Sequence, residues 1–322
     1  MQRRTLLAGL AAGLAVAVPA STAATAGAAQ IGISDQGAST FASPLFPQLK
    51  SKYARYVLPY DFRTDATQLQ KWNAWYAGAG TAKQRILVSF EHSRKSATAA
   101  RKLPSVASYT KEIKAFKKAY PNAKDISVWN EVNRKSRSGG EGQPTAGVKN
   151  AKRSAQYFDA ARKVFTGSKY KIVALDVLDE DNPGGAIAYI KAFKKAAKGT
   201  PKYWGLHNYS DTNRFSQTRT KRIIKAFGSK GEVWATETGG IVQLGSATSG
   251  SFPRDVNRAN KALGCMFTIA KSNTRIKRLY VYNFLGAPEI QAFDAGLVEV
   301  DGVTPRPGFA TVVARKAGPC RK

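Results

Sequence analysis

Eight short apolar runs, separated by lysine-rich helical stretches, constrain this chain more than any other feature. The runs fall at 31–34, 56–59, 86–90, 126–129, 172–175, 203–206, 233–236 and 279–282. Their starts lie about 25 to 46 residues apart, room for a strand, a helix and two loops. Runs that are apolar throughout and rich in Val and Ile suit a parallel sheet buried on both faces. Eight such units predict an α/β chain, a (β/α)8 TIM barrel, forming a single domain over 30–322.

A weak internal repeat agrees with that reading. Lys114-Ala-Phe-Lys-Lys, Lys191-Ala-Phe-Lys-Lys and Lys225-Ala-Phe each close a helical stretch just before the next apolar run. Ala and Phe are expected to face the barrel and the lysines water. Cations are favoured at helix C-termini in any fold, so the repeat adds only mild support. Trp72 and Trp75, three apart in a helical stretch, read as core residues. Gly/Ser stretches at 136–142 and 245–251 follow the fourth and seventh runs, where a barrel keeps its cleft-shaping loops.

The first 29 residues read as a signal peptide rather than fold. Arg3 and Arg4 precede an apolar stretch over 6–18, and small residues at 24–28 offer cleavage sites. That stretch is short for a bilayer span, so export without stable membrane insertion is expected, with an N-terminal anchor as the alternative. The Arg-Arg start is partly similar to a twin-arginine signal and does not separate the two export routes. Removing two arginines from 51 basic residues leaves 49 against 21 acidic ones, a mature charge of +28. Such a surface draws anions from a distance. For an exported chain these would be anionic cell-wall polymers, acidic polysaccharide or membrane surfaces, in a secreted or wall-associated setting. Basic stretches without interleaved exposed aromatics argue against specific nucleic-acid recognition. In an oxidising compartment Cys265 and Cys320 are expected to form one disulfide, pinning the C-terminus to a late helix, with two free thiols as the alternative. Two cysteines and two histidines make no usual zinc set without carboxylate help, so no metal and no cofactor are expected. Nothing points beyond a monomer.

Two glutamates carry the chemistry. Glu131 ends Ile126-Ser-Val-Trp-Asn-Glu, and Glu237 ends Glu232-Val-Trp-Ala-Thr-Glu. They are 106 positions apart, from 131 to 237, close to three βα units. Both belong at C-terminal strand ends, where barrel enzymes keep their reacting groups. Other polar residues fall at the same kind of position: Glu91-His92 after the third run, Asn130 beside Glu131, and His207-Asn208-Tyr209 after the sixth. Paired carboxylates across a barrel mouth suit acid/base and nucleophilic work on a glycosidic bond.

These residues give the chain a family resemblance. It resembles the clan A glycoside hydrolases, retaining (β/α)8 enzymes with Asn-Glu after strand four and a second Glu after strand seven. The resemblance spans the mature chain in order and spacing and lies nearest the cellulase-like and xylosidase-like families. It implies Glu131 as acid/base, Glu237 as nucleophile, Asn130 on the sugar 2-hydroxyl, and Tyr209 as hydrogen-bond donor to the nucleophile. It also implies that His207 lines the cleft, with a polysaccharide as substrate. A general acid of this kind needs a raised pKa, here expected from Trp129 or a nearby carboxylate. Tyr282 or Phe284 stands where many clan members have a sugar-stacking tryptophan. The arginine those enzymes carry after strand two is matched only by Arg55, expected at the wrong end of its strand, with Asp61 and Arg63 nearer the mouth.

His92 is divided between cleft contact and a structural hydrogen bond, and Asn208 reads as structural. The acidic run Asp176-Val-Leu-Asp179-Glu-Asp181 is superficially similar to that of family 18 chitinases but follows the wrong strand, so a solvated loop is expected, with a cation-binding or substrate-contact loop as the alternative. Beside the secreted hydrolase stand two alternatives. One is a carbohydrate- or wall-binding barrel without turnover. The other is a cationic binder of anionic polymers, with salt-sensitive binding indifferent to the two glutamates.

Overall fold

The computed structural model describes residues 29–134 and 151–322. Residues 1–28 of the expected leader, and the Gly/Ser stretch 136–142, lie outside the described residues. The strands are β1 (Gln30–Ser34), β2 (Tyr53–Pro59), β3 (Arg85–Glu91), β4 (Ala123–Ser127), β5 (Lys171–Leu178), β6 (Tyr203–His207), β7 (Glu232–Thr238), β8 (Gln243–Leu244), β9 (Ile276–Tyr282) and β10 (Phe293–Asp294). β1 to β7 and β9 close into one parallel barrel, β9 pairing with both β7 and β1. The short β8 and β10 pair antiparallel in the loops that follow β7 and β9. All eight apolar runs belong to the barrel, as the spacing predicts.

The helices are α1 (Ala66–Thr81), α2 (Ala97–Ala100), α3 (Val106–Ala119), α4 (Ala151–Val164), α5 (Gly184–Ala196), α6 (Tyr209–Asn213), α7 (Thr218–Phe227), α8 (Val256–Ser272) and α9 (Pro307–Ala314). Side-chain caps start several of them: Asp65 accepts from the Gln68 amide, Ser105 from that of Ser108, and Asp255 from those of Asn257 and Arg258. Lysines close α3, α5 and α7, while Phe116, Phe193 and Phe227 of the repeat are buried against the sheet. Trp72 and Trp75 are fully buried and pack on Tyr56 of β2. Cys265 of α8 is disulfide-bonded to Cys320, tying the C-terminal tail to that helix. Among the described residues no helix is long and apolar enough to cross a membrane.

One strand shows how the barrel is layered. Neighbouring residues on a strand point to opposite faces. Ile86, Val88 and Phe90 of β3 join the apolar layer shared with the helices. Leu87, Ser89 and Glu91 point inward at three heights. Leu87 joins Val173, Trp234 and Tyr280 in a plug at the N-terminal end of the strands. Ser89 meets polar groups in the middle, and Glu91 reaches the C-terminal rim, bonded to Arg94. The interior therefore runs from apolar plug to charged mouth.

Two strands break their alternation where it matters. On β7, Trp234 and Thr236 point inward, so strict alternation would turn Glu237 away from the barrel. The pairing of β7 shifts register between Gly205 and His207 of β6, and between Ala235 and Thr238 against β9. Irregularities of this kind re-aim a side chain, and here Glu237 lies opposite His207 with its carboxylate in the mouth. β5 shifts likewise between Val173 and Asp176, bringing Asp176 inside. A side chain at Gly205 would collide with the Asp176 carboxylate and the Leu175 carbonyl, which is why β6 carries glycine there.

Candidate active site

Arg55 organises the mouth. Its guanidinium is fully buried in the middle of β2 and bonds residues of five other barrel segments. Nε donates to Ser89, Nη1 to Ser34 and to Glu237 Oε2 at 2.6 Å. Nη2 donates to Asn130 Oδ1 at 2.7 Å and Asp176 Oδ2 at 3.1 Å, and lies 3.3 Å from His207 Nε2. This corrects the sequence expectation for Arg55. β2 begins at Tyr53, three residues before its apolar run, so Arg55 sits well inside the strand and its long side chain reaches the mouth. Asp61 and Arg63 turn elsewhere, to Ser93 and Glu112. Burial alone would weaken the charge on Arg55, but Glu237 and Asp176 outweigh it and hold the guanidinium firmly protonated.

Asp176 is likewise not in a solvated loop. It is fully buried, accepts from Ser89 and Thr236, and burial is outweighed by Arg55 so that its pKa falls below the ordinary value. Asp179 is buried too, accepting from the Ser210 and Asp211 amides at the start of α6, and burial pushes it up to about 7 despite those donors. Of that acidic run, Asp181 is the aspartate in solvent.

The two glutamates sit in unlike surroundings. Glu237 accepts from Arg55 on Oε2 and from the Tyr209 hydroxyl on Oε1 at 3.0 Å. Burial and the Glu237 charge raise Tyr209 well above its ordinary pKa, so it stays a donor. Glu131 follows β4 in a turn with φ of +42°, in the left-handed region that non-glycine residues seldom occupy. The Asn130 amide bonds Phe90 O and the Val132 amide bonds Asp176 O, pinning the turn to the strands on either side. Glu131 Oε1 meets His207 Nδ1 at 3.1 Å, and Oε2 accepts from Arg134 Nη1 at 2.9 Å. His207 Nε2 faces a guanidinium nitrogen that can only donate, so Nδ1 carries the proton given to Glu131. Burial alone would raise Glu131, but His207 and Arg134 reverse this and bring it to about 2. The sequence expectation of a raised pKa is thus corrected: the resting group is an ion-paired carboxylate.

One oxygen of Glu131, one of Glu237 and one nitrogen of His207 all lie within 4.8 Å of one another. Such a trio has ligand atoms for a metal, yet each carboxylate already holds a guanidinium, Arg134 or Arg55. The cluster is better described as an acid pair bracketed by cations.

Tyr282 is half-buried beside the pair, and burial and the Glu237 charge raise its pKa. Its ring packs on Phe293 of β10, which also meets Tyr209 edge-on. Phe284 is fully buried against Phe46 and is core rather than platform. His92 is buried, with Nδ1 on the Ser93 carbonyl and Nε2 3.9 Å from Glu91, and hydrogen-bonds neither Glu131 nor Glu237. Asn208 is buried just before α6. The residues that sequence reasoning misplaced or passed over are Arg55, Asp176, Arg134 and Phe293. A charge inside an otherwise apolar strand is the signal that could have found the first two.

The fold and this mouth define a (β/α)8 barrel with a paired-carboxylate site at the C-terminal ends of its strands. Solved structures of similar fold include a GH5_18 protein from Streptomyces cattleya in complex with GlcNAc (13% identity, TM-score 0.61, covering 89% of this chain and 79% of that one). Others are native xylanase 10B from Thermotoga maritima (15%, 0.56, 88% and 94%) and a fungal beta-1,4-galactanase (10%, 0.62, 89% and 100%). No family model matches the chain, and no curated protein does. At these identities the likeness is one of fold.

Proposed function

We propose that this chain is an exported, retaining glycoside hydrolase acting as a monomer on a β-linked polysaccharide or cell-wall glycan. The observation that carries the reading is that an oxygen of Glu131 and one of Glu237 lie within 4.8 Å of each other in the barrel mouth. Carboxyl groups about 5 to 5.5 Å apart suit double displacement, whereas inverting pairs stand wider to admit a water. The xylanase and galactanase names of fold neighbours support a β-linked glycan.

In this mechanism Glu237 attacks the anomeric carbon as the bond to the leaving oxygen breaks, and Glu131 gives that oxygen its proton. Water then attacks the glycosyl ester while Glu131 takes up a proton, releasing sugar and restoring Glu237. Arg55 and the Tyr209 hydroxyl hold the Glu237 carboxylate and aim it before attack. Asn130, with its amide oxygen held by Arg55, offers its NH2 group to the sugar 2-hydroxyl. Tyr282 and Phe293 supply apolar faces on which a sugar ring can stack.

Release of reducing ends from a panel of β-linked plant, fungal and bacterial-wall glycans tests the reading. Activity on a glycan, lost in both Glu131→Gln and Glu237→Gln, is the expected result. Activity retained in both variants would sink the assignment. A second reading, a cationic binder of anionic polymers, is favoured by the +28 charge and predicts salt-sensitive binding indifferent to both substitutions.

A further inference from the structure

The resting state of Glu131 poses a problem for the mechanism just given. A general acid must carry a proton when the glycosidic bond breaks, yet both oxygens of Glu131 are occupied by donors, His207 on one and Arg134 on the other. The two donors differ in mobility. His207 is fully buried and fixed from behind by Arg55 and Asp176. Arg134 has 57% of its side chain exposed and no other side-chain partner among the described residues. The guanidinium is largely solvated where it stands, so it can leave Glu131 without itself being desolvated. Arg134 is therefore the partner that can move.

The rim around it explains where it can go. Glu91 is already paired with Arg94, and Asp61 with Lys95, so the nearby acids on β3 and after β2 are neutralised. Glu237 is held by Arg55 from below. Arg134 is bonded to Glu131, and Glu237 and Glu91 add to the field that keeps its guanidinium charged. A planar guanidinium with exposed donors is suited to bidentate capture of a carboxylate. Among the described residues no acid near it is left unpaired, and a carboxylate arriving with the substrate is a partner that can draw it off Glu131.

We propose that Arg134 recognises a carboxylate carried by the glycan beside the scissile bond, and that this contact releases Glu131 to act as the acid. The inference rests on the hydrolase reading of the site and names its substrate class: a β-linked glycan whose sugars bear carboxyl groups. Glu131 flanks the leaving group, so the carboxylate belongs to the sugar on that side. Once Arg134 has turned to it, Glu131 loses one of the two groups that hold it ionised, and burial, which favours the protonated form, is opposed by His207 alone. The groups facing Glu131 in this exchange are Arg134, His207 and, across the cleft, Glu237, with Glu91 and Arg94 on the rim. The +28 charge acts in the same direction by gathering polyanionic glycans at the surface.

Two sources of such a carboxylate are separable with defined probes. A β-1,4-linked glucuronate tetramer is compared with cellotetraose, and a GlcNAc–MurNAc tetrasaccharide with chitotetraose. Hydrolysis is measured for the wild type, Arg134→Ala and Arg134→Lys, and binding is measured by calorimetry in a Glu237→Gln background. The acidic member of one pair is expected to be favoured by about tenfold to a hundredfold, the range of a charge-assisted hydrogen bond. Arg134→Ala should abolish that preference, Arg134→Lys should keep part of it, and the pH optimum on neutral glycans should rise in Arg134→Ala. Hydrolysis without preference in either pair, or a preference that survives Arg134→Ala, would overturn the proposal and leave the hydrolase reading standing. Arg134-dependent binding of an acidic probe without hydrolysis would uphold the recognition and overturn the release of a working acid. If no probe is cleaved and binding is indifferent to Arg134, both fall.

Discussion

The two ends of the barrel are built from the same parts and do different things. At the N-terminal end, Arg278 of β9 is buried, pairs with Asp125 of β4, hydrogen-bonds the Tyr280 hydroxyl and lies between the rings of Tyr53 and Trp234, 4.1 and 3.8 Å from their centroids. Arg85 also grips Asp125. At the C-terminal end, Arg55 is buried, pairs with Asp176 of β5 and is ringed by Ser34, Ser89 and Asn130. The difference lies in what surrounds each centre. Arg278 is enclosed between aromatic faces and almost wholly buried. Arg55 passes its charge on to Glu237, whose side chain is 13% exposed, and so to an open mouth. A buried arginine–aspartate pair is thus a plug or the floor of a site according to whether the next shell is aromatic or carboxylate.

Substitutions on the two ends should separate activity from stability. In the proposed mechanism the largest effect belongs to Glu237→Gln, which would remove the attacking oxygen and should lower kcat by more than about 10⁴-fold, with Glu131→Gln costing about 10² to 10⁴ on poor leaving groups. Neither should lower Tm appreciably, and steady-state kinetics with calorimetry checks both. Arg278→Ala should do the reverse. It leaves Asp125 buried with only Arg85, at a cost of about 3 kcal/mol, seen by denaturant unfolding, while activity per folded molecule is unchanged. If Arg55→Ala behaved like Arg278→Ala, losing stability alone, the contrast between the ends would collapse.

Tyr209→Phe is a finer probe. It removes one hydrogen bond to the Glu237 carboxylate and should reduce kcat/KM by about tenfold to a hundredfold, with little change in Tm. The smallest effect concerns Asp179. The native protein keeps a proton on this buried group, up to about pH 7, that the unfolded chain has released near its ordinary value of 3.8. The native state therefore binds more protons across that window, and stability falls as pH rises through it. The Tm of Asp179→Asn should consequently fall less than that of the wild type between pH 4 and 8.

Much of this was legible in the chain itself. Eight apolar runs at βα spacing announce the barrel, because parallel strands buried on both faces have no polar side to show. Glu131 and Glu237 stand out for the same reason: each is the first charge after such a run. What stayed hidden depended on register. The length of β2 decides whether Arg55 is at the bottom or in the middle, and its apolar run starts only at Tyr56. Asp176 and Glu237 turn inward through shifts in strand pairing that no alternation pattern encodes. Arg134 and Phe293 come from loops, where position follows from packing rather than from period.

In the proposed function Glu131 and Glu237 face one glycosidic bond at the spacing of a double displacement. Proton NMR of the first sugar released from a cleaved β-glycan tests it most directly. The β-anomer, appearing before mutarotation and absent with Glu237→Gln, is the predicted result. Initial release of the α-anomer would contradict the account, because it requires a water where the structure places Glu237.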